Sequence, residues 1–335
     1  MPQIVLIAVE SSCDDTSAAV CADGRILSNL TANQQVHEQY GGVVPELASR
    51  AHMQNIIPVV DGALKNAGVG KEQLSAVAFT RGPGLLGSLL VGGVFAKTLA
   101  QSLSIPLIDV HHMQAHVLAH FIPDRKPSFP FLCLTVSGGH TQIVLVKDHY
   151  RMEVIGDTLD DAAGEAFDKT AKMLGLPYPG GPLMDMYAKS GNAARFHFSE
   201  PEIKGLNFSF SGLKTQVLYF LQKEQTKNQD FIRQNLEDIC ASVQEIIVKT
   251  LLNKLKRAAK ETGIKEIGLA GGVSANSELR KQLAVYGEKY GWNTYIPDLQ
   301  YCTDNAGMIA IAGYYKFLKK DFCALDVPIR ARLDF

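Results

Sequence analysis

The sequence predicts a two-domain α/β fold in which one architecture occurs twice. With 335 residues, 46% of them hydrophobic, the chain is too long for one ordinary core and apolar enough to bury two. A unit of three short strands begins near residue 3 and returns near residue 131. A unit of strand, glycine-rich loop and helix begins near residue 74 and returns near residue 264. Two repeats in the same order indicate a duplicated domain.

The first strand unit opens the chain. Residues 3–9 form a short apolar strand, the polar turn S-S-C-D-D-T follows at 11–16, and residues 17–22 form the second strand. The pair Asp23-Gly24 is a strong hairpin signal, so it turns the chain into a third strand at 25–30.

The same plan returns in the second half. Residues 131–136 are apolar, Ser137 to His140 make a tight polar turn, and Thr141 to Val146 form a second strand. A third strand is predicted from Met152 to Ile155.

The strand–loop–helix unit is also present twice. In the first copy, residues 74–80 precede R-G-P-G-L-L-G and a helix from Ser88 to Leu103; in the second, residues 264–270 precede A-G-G-V-S-A-N and a helix from Glu278 to Tyr290. Other helices are predicted at 46–66, 111–121, 161–174, 231–262 and about 304–320. Three prolines between residues 123 and 130 mark the crossing, so the predicted domains are 1–120 and 121–303, with a final helix at about 304–325 packing back on the first.

Composition limits the class of protein. The net charge of -1 excludes a uniformly basic surface, although the segment N-F-S-F-S-G-L-K at 207–214, with Lys204 nearby, is a candidate RNA patch or an ordinary solvated loop. Six cysteines without a C-x-x-C pair indicate reduced thiols, and no apolar run approaches the roughly 20 residues that cross a bilayer. A cytoplasmic protein without a membrane segment is expected.

A pair of histidines indicates a metal site. His112 and His116 are four residues apart, so on a helix their imidazoles project from one face and can share an ion. Asp304, before the last helix, is the candidate third ligand; two satisfied histidines and a helix-capping aspartate are the alternative. Two histidines and one carboxylate with open positions suit iron(II) or another divalent ion.

A zinc protease is disfavoured by the residues between the histidines. Such enzymes need H-E-x-x-H, in which the glutamate activates water. Here Met113 and Gln114 stand in that stretch, so the peptidase reaction lacks its base.

Two strand-joining turns are candidates for gripping phosphate. Ser11 to Thr16 and Thr135 to His140 are rich in small residues, so their backbone N–H groups can face an anion, although each alone is also an ordinary hairpin turn. Asp14 and Asp15 in the first turn are able to orient a cation, receive a proton or cap local N–H groups.

Three further places bring polar groups or backbone toward a ligand. Asp168 can accept hydrogen bonds from ribose hydroxyls or pair with Lys172. The rigid turn Y-P-G-G-P at 178–182 and the loop A-G-G-V-S-A-N at 270–276 allow close backbone approach. Asn276 can read a base edge or hydroxyl, or cap the following helix.

The motifs taken together resemble one family across nearly the whole chain. They are G-G-V-V-P-E-L-A-S-R, G-P-G-L, H-H-M-Q-A-H, V-S-G-G-H-T, D-D-A-A-G-E-A-F-D-K-T, Y-P-G-G-P, F-S-F-S-G-L-K, A-G-G-V-S-A-N and C-T-D-N. In order and spacing they resemble the TsaD/Kae1 family, bacterial TsaD type. The resemblance implies a two-domain actin-like ATPase fold (ASKHA, ribonuclease H-like), with duplicated strand-hairpin and helix units around an interdomain cleft.

The resemblance also implies an activity: transfer of a threonylcarbamoyl group from threonylcarbamoyl-AMP to N6 of the adenine 3′ of the anticodon, in tRNAs reading ANN codons, with release of AMP. The rival functions are an ATPase or kinase of the same fold class and a metal-dependent glycoprotein endopeptidase. Implied partners are tRNA, a TsaB-like paralogue, a TsaE-like ATPase and a TsaC/Sua5-type enzyme that supplies the adenylate. ATP, ADP or AMP are further expected occupants of the cleft.

Site residues carry over motif by motif. Asp14 is placed close to the reacting group. The metal, usually iron(II), with zinc or magnesium as alternatives, is held by His112, His116 and Asp304. The adenylate is held by Thr135, Val136, Ser137, Gly138, Gly139, Asp168, Gly181, Asp185 and Asn276. The chain departs from the family where H-M-Q-A-H replaces the common H-M-E-G-H, which removes a charge beside the metal and leaves the identity of the metal open.

Overall fold

The computed structural model describes residues 3–34, 37, 40–201 and 203–335. The chain forms two compact units: the first takes in the chain up to Lys126 together with Pro297–Phe335, and the second is Pro127–Ile296. The first change of unit lies a few residues beyond the predicted position of 120 because a 3-10 turn, Ala119–Phe121, continues directly from the preceding helix and buries Phe121.

The first unit is built on a five-stranded sheet. Its elements in this part of the chain are β1 Val5–Glu10, β2 Thr16–Ala22, β3 Arg25–Ala32, α1 Pro45–Ala67, β4 Ala76–Gly82, α2 Leu86–Leu103, β5 Leu107–His111 and α3 His112–Leu118. The strand order is β3-β2-β1-β4-β5, antiparallel within the first three strands and parallel from β1 to β5. Every residue of β1 and β2 is buried, because helices cover both faces of the sheet.

The second unit repeats this plan. Its elements are β6 Phe131–Val136, β7 Thr141–Val146, β8 Met152–Asp157, α4 Ala163–Met173, α5 Gly180–Ala188, α6 Ser211–Gln225, α7 Phe231–Gln234, α8 Leu236–Thr262, β9 Glu266–Ala270, α9 Ser277–Tyr290 and β10 Asn293–Tyr295. The strand order is β8-β7-β6-β9-β10, again a three-stranded antiparallel part followed by parallel strands. The predicted α/β fold with a duplicated plan is therefore confirmed.

Some element predictions were wrong in detail. The single helix predicted at 231–262 is interrupted at Asn235, whose φ of -129° is not helical, so α7 and α8 are separate. The helix predicted from residue 111 begins one residue later, because His111 still belongs to β5. Helices α5 and α6 were not predicted; the turn motifs before them were noticed, but not the helices that follow.

After the second unit the chain returns to the first. The helix α10, Ala306–Leu318, lies against β1 and β2 and buries its first eight residues. Gly313 permits this packing, because a Cβ there would lie 2.7 Å from the Cβ of Ala78.

The helix α2 is long and apolar enough to cross a membrane by composition, with a mean hydropathy of 1.3 over 18 residues. It packs against β4 and α1. Leu89, Ala96 and Ala100 are buried there, so one side of α2 belongs to the core of the first unit, although only 33% of the helix is buried.

Candidate functional site

The two histidines lie on α3, which begins immediately after β5. His112 and His116 are one helical turn apart, and their ring centroids are 4.8 Å apart in an edge-on arrangement. The residues are 8% and 1% exposed. Both imidazoles are therefore removed from water, on one face of a short helix.

Asp304 reaches both histidines from the segment before α10. Its Oδ1 is 3.2 Å from Nε2 of His116 and 3.5 Å from Nε2 of His112. Two atoms that bind one ion at about 2.1 Å and at 90° to 110° are themselves roughly 3.0–3.4 Å apart; the distance to His116 lies in this range and the distance to His112 just above it. The three candidate ligand atoms lie within 4.8 Å of one another. These residues could hold a metal ion.

The alternative role of Asp304 as a helix cap is not realised. Asn305 caps α10, because its side chain accepts a hydrogen bond of 2.9 Å from the backbone N–H of Met308. The Asp304 carboxylate is thus left to the two histidines.

A residue that sequence reasoning missed, Glu10, supports His112 from behind. It closes β1 and is completely buried. Its carboxylate accepts hydrogen bonds of 2.5 Å from the Ser12 N–H and the Thr80 hydroxyl, and it lies 3.2 Å from Nδ1 of His112. A carboxylate behind a ligating histidine orients the ring and raises its basicity. The available signal was a charged residue at the end of a wholly apolar strand.

The electrostatics of this cluster favour a cation. Burial by itself lowers the pKa of His112, but the charges of Glu10 and Asp304 outweigh it and raise the pKa to about 10. Burial, followed by the charges of Asp14, Asp304 and Glu10, raises the pKa of Asp15 to about 7. The negative charge around these imidazoles favours any cation, either a proton on His112 or a metal ion that displaces it.

Asp14 lies in the turn between β1 and β2. Its charge contributes to the raised pKa of both Asp15 and Cys13, so it belongs to the same acidic neighbourhood. No ion pair of Asp14 occurs among the residues that the structure describes, and its place beside the reacting group stays a prediction.

In the second unit, the turn predicted to bind phosphate is held by two hydrogen bonds across it, and its two glycines are exposed. Thr135 and Val136 end β6, and the turn is held by the Ser137 N–H donating to the carbonyl of His140 and by the His140 N–H donating to the Ser137 hydroxyl. Gly138 and Gly139 are exposed. Nothing would lie within 4 Å of a Cβ at either glycine, so their backbone is open to a ligand.

Asp168 has a role that neither sequence alternative described. Its Oδ1 accepts hydrogen bonds of 2.9 and 3.0 Å from the N–H groups of Gly180 and Gly181, at the start of α5. Burial raises the pKa of Asp168 even though these bonds act in the opposite direction. Asp168 therefore fixes the first turn of α5 against α4.

Asp185 and Asn276 hold the start of α9. The Asp185 carboxylate accepts hydrogen bonds from the hydroxyl and the N–H of Ser277, at 2.8 and 3.2 Å. Asn276 caps the helix by accepting from the N–H of Leu279, and its amide donates to Gln244 at 2.7 Å. The capping alternative for Asn276 is thus realised. A ligand would meet these side chains already held in place.

The loops of the second unit converge at the carboxyl ends of its parallel strands. A Cβ at Gly271, just after β9, would lie 2.4 Å from the carbonyl oxygen of Val136, and one at Gly164 would lie 2.5 Å from that of Ser137. Glycine is required for both approaches. The carboxyl edge of parallel strands is where open α/β sheets bind ligands.

The segment 207–214, a candidate RNA patch in the sequence, does not offer its aromatic rings for stacking on bases. Phe208 and Phe210 are fully buried in the core of the second unit, with their rings stacked 6.4 Å apart. Asp160 secures the segment by accepting hydrogen bonds from the N–H groups of Phe210 and Ser211. Buried aromatic rings cannot stack on bases.

The fold and the site together define a class. Two units that repeat one strand order have the two-domain actin-like (ASKHA) fold of α/β proteins, and the first unit also carries the histidine–carboxylate group that could hold a metal. Solved structures of similar fold include HypF of T. kodakarensis, with a TM-score of 0.64 and 14% identity over 95% of this chain and 48% of that chain. Component A of (R)-2-hydroxyglutaryl-CoA dehydratase from Acidaminococcus fermentans has a TM-score of 0.53 and 16% identity over 94% of this chain and 99% of that chain.

Sequence comparison gives the family. The family model described as "TsaD: tRNA N6-adenosine threonylcarbamoyltransferase" matches residues 25–311. Relatives bearing that name include the protein of Christiangramia forsetii, 60% identical over 99% of each chain, and that of Cytophaga hutchinsonii, 58% identical over 98% of this chain and 96% of the relative. The chain belongs to the tRNA N6-adenosine threonylcarbamoyltransferase family.

Proposed function

We propose that this chain transfers the threonylcarbamoyl group of threonylcarbamoyl-AMP to N6 of the adenine 3′ of the anticodon, in tRNAs that read ANN codons, and releases AMP. The observation that carries the proposal is the 60% identity, over essentially the whole chain, to a relative named for this activity. The mixed anhydride is already activated, so catalysis consists mainly of positioning the carbonyl and stabilising the departing phosphate.

His112, His116 and Asp304 are proposed to hold one divalent ion, iron(II) first, with zinc or magnesium as alternatives. Support comes from the spacing of the ligand atoms and from Glu10 behind His112. When bound, such an ion supplies Lewis-acid polarisation of donor oxygens. No glutamate lies between the two histidines, so the chain lacks the base with which a zinc peptidase activates water.

The adenylate is proposed to lie at the carboxyl edge of the second unit's parallel strands. The exposed N–H groups of Gly138 and Gly139, in the turn that begins with Thr135, Val136 and Ser137, would receive the phosphate. Asp168, Gly181, Asp185 and Asn276 would surround the nucleoside, since their hydrogen bonds fix the starts of α5 and α9. Asp14 is proposed to assist removal of the proton from the attacking amine.

A TsaB-like paralogue is the proposed protein partner, and an apolar face of α1 and α2 is its proposed docking surface. The face consists of Met53 and Ile57 on α1 and of Leu86, Leu90 and Val94 on α2, each between 44% and 67% exposed. Residues four apart share a side of a helix, and α1 packs on α2. A paralogue of the same fold would present the corresponding helix pair, which suits a pseudo-symmetric contact between the two pairs. A TsaE-like ATPase and a TsaC/Sua5-type supplier complete the proposed system.

The activity is tested by incubating the protein and its proposed partners with threonine, bicarbonate, ATP and unmodified tRNA, followed by mass analysis of the nucleosides. Formation of threonylcarbamoyladenosine that is lost with His112→Ala is the expected result. Absence of that nucleoside with competent partners would refute the proposal. In a second assay, the purified chain is incubated with ATP in place of threonylcarbamoyl-AMP. Formation of ADP, and not AMP, would favour the kinase alternative.

A further inference from the structure

The last residues of the chain form a strap, residues 327–335, across the first unit. Val327 and Ile329 pack against the core formed by the sheet, α1 and α2. Lys97 on α2 donates a hydrogen bond of 2.6 Å to the carbonyl of Val327, and the side chain of Arg81 donates one to the carbonyl of Pro328. The strap is thus an ordered part of the unit.

Backbone hydrogen bonds fix the position of the strap along the end of β4. The Arg330 N–H donates to the carbonyl of Arg81, and the Gly84 N–H donates to the carbonyl of Ala331, at 3.0 and 3.1 Å. Gly82 allows the approach, because a Cβ there would lie 2.0 Å from the carbonyl oxygen of Arg330. The residues that follow are therefore delivered to a defined place.

That place is His111, the residue immediately before the first metal-ligand candidate. Nε2 of His111 is 3.2 Å from the carbonyl oxygen of Leu333, and the ring of Phe335 lies 5.4 Å from the imidazole, centroid to centroid. The strap thus contacts the imidazole through both a polar and an aromatic group.

The opposite edge of the same imidazole caps α3. Nδ1 of His111 accepts hydrogen bonds from the N–H groups of Met113 and Gln114, at 3.2 and 3.4 Å. Backbone N–H groups are donors only, so Nδ1 must carry the lone pair and the proton must sit on Nε2. That proton is then donated to Leu333, and one neutral tautomer satisfies both sides of the ring.

The cap matters because α3 is only seven residues long and carries both histidines. The first N–H groups of a helix have no partner within the helix, and a cap accepts them and fixes the first turn. In α3 that first turn contains His112. The direction of the His112 ring relative to His116 and Asp304 therefore depends on a cap that the strap holds in one orientation.

We propose that the C-terminal strap positions the metal-binding helix, and that His111 is the positioning residue through which it acts. The carbonyl of Leu333 accepts the Nε2 proton and so holds the orientation of the His111 ring, His111 fixes the first turn of α3, and that turn aims His112 at the shared ion. The inference rests on the proposed metal site. It makes the end of the chain part of the site, although none of its residues contacts the ion.

The proposal is tested by zinc affinity, measured by calorimetry on the otherwise full chain. Truncation after Ala331 keeps the pairing with Gly84 but removes Leu333 and Phe335, and we expect it to weaken zinc binding by about tenfold, the lower range for loss of a supporting contact. His111→Ala, which removes cap and link together, should weaken it at least as much. His111→Asn keeps a capping oxygen and should recover part of the loss.

The coupling between strap and cap distinguishes positioning from general support of the fold. In the H111N background, which already lacks the link to Leu333, truncation should cause no further loss, because the two changes act through one contact. Phe322→Ala removes a different contact of the tail, with Phe317, and should leave zinc affinity unchanged. Two results would overturn the proposal. One is equal zinc affinity of the full and truncated chains; the other is that truncation weakens zinc binding as much in the H111N background as in the wild type.

A measurement on the unaltered protein covers the case in which the truncated chain does not fold. The ¹⁵N shifts of the His111 imidazole at pH 7.5, assigned with the H111N variant, should show the proton on Nε2; a proton on Nδ1 would contradict the proposal. Failure of the folded wild-type chain to bind zinc would count against the metal site itself, and so differs from failure of the strap.

Discussion

At the scale of single residues, Glu10 shows how much of the candidate metal site lies outside its ligands. The carboxylate is buried and satisfied by Ser12 and Thr80, so its remaining interaction is with His112. We expect Glu10→Gln, which keeps the shape and removes the charge, to weaken zinc binding by about 10- to 100-fold. Calorimetric titration of the purified variant checks this.

The matched control for that change is Glu46→Gln. Glu46 is an exposed residue at the start of α1 and pairs with Arg50 on the surface, where ion pairs contribute little. The zinc affinity of the Glu46→Gln variant should equal that of the wild type. Equal affinity of Glu10→Gln and Glu46→Gln would show that Glu10 does not support the site.

Asp109 on β5 predicts how the first unit responds to acid. Burial alone would raise its pKa, but Lys316 and Arg81 outweigh that effect and hold the pKa below its ordinary value. A depressed pKa means that the ionised form stabilises the folded state at pH values above the ordinary value of 3.8, and that this contribution is lost as the pH falls through the lower folded-state pKa.

We therefore expect Asp109→Asn to lower the free energy of unfolding at pH 7 by about 1 to 3 kcal/mol. Below pH 4 the difference from the wild type should shrink, because the carboxylate is then protonated first in the unfolded wild-type chain and, at lower pH, in the folded chain as well. Denaturant unfolding at both pH values measures this. A difference that is independent of pH would contradict the assigned pKa direction.

The residue scale also shows where sequence reasoning ended. The spacing of His112 and His116 and the position of Asp304 before α10 pointed to a metal group that the structure brings together. Glu10 could not be found this way, because its partners Thr80 and His112 are 70 and 102 residues away. Local patterns do not report contacts between distant segments.

At the scale of elements, the exposed face of α1 and α2 makes a testable surface. Leu90 lies in the middle of the row formed with Leu86 and Val94. We expect Leu90→Lys to weaken binding of the TsaB-like paralogue at least tenfold, about 1.4 kcal/mol, because a charge would be buried in an apolar contact. Calorimetry with the purified paralogue measures it.

Val285→Lys is the matched control, since Val285 is an equally exposed apolar residue, at 47%, on α9 of the other unit. It should bind the paralogue like the wild type. Unchanged binding by Leu90→Lys would remove α2 from the proposed interface.

Elements were predictable where the pattern was periodic and local. The strands of both hairpins and the helices α1, α2, α4, α9 and α10 followed from apolar spacing and turn residues. The break at Asn235 did not, because apolar residues continue at helical spacing on both sides of it, and a single backbone angle ends the helix. The segment at 207–214 looked polar and aromatic, and tertiary packing buried its rings.

At the scale of the whole molecule, the two units differ in how the chain builds them. The second unit is one continuous segment whose core cluster, from Leu132 to Leu283, lies entirely within it. The first unit needs α10 from the far end of the chain to cover its sheet. The duplication was predicted from the repeated strand and helix units. The return of the chain to the first unit was predicted only from the last helix, which follows the second domain.

We therefore expect the isolated segment 127–296 to fold with a cooperative thermal transition, and the isolated segment 1–126 to remain unfolded. Circular dichroism and amide NMR spectra of both segments measure this. Adding α10 and the strap, residues 297–335, to the first segment through a short linker should restore a cooperative transition. An unfolded 127–296 segment would show that the second unit depends on the first.

The placement of Asp304 has a consequence for how the protein is made. Asp304 is separated from His116 by 188 residues, and ribosomes add about 5 to 20 residues per second. For about 10 to 40 s of synthesis, a nascent chain therefore displays two histidines without their carboxylate. On the proposed metal site, the full set of three ligands exists only after Asp304 has been added, and a chain that stops anywhere in the second unit leaves the ribosome without the third ligand.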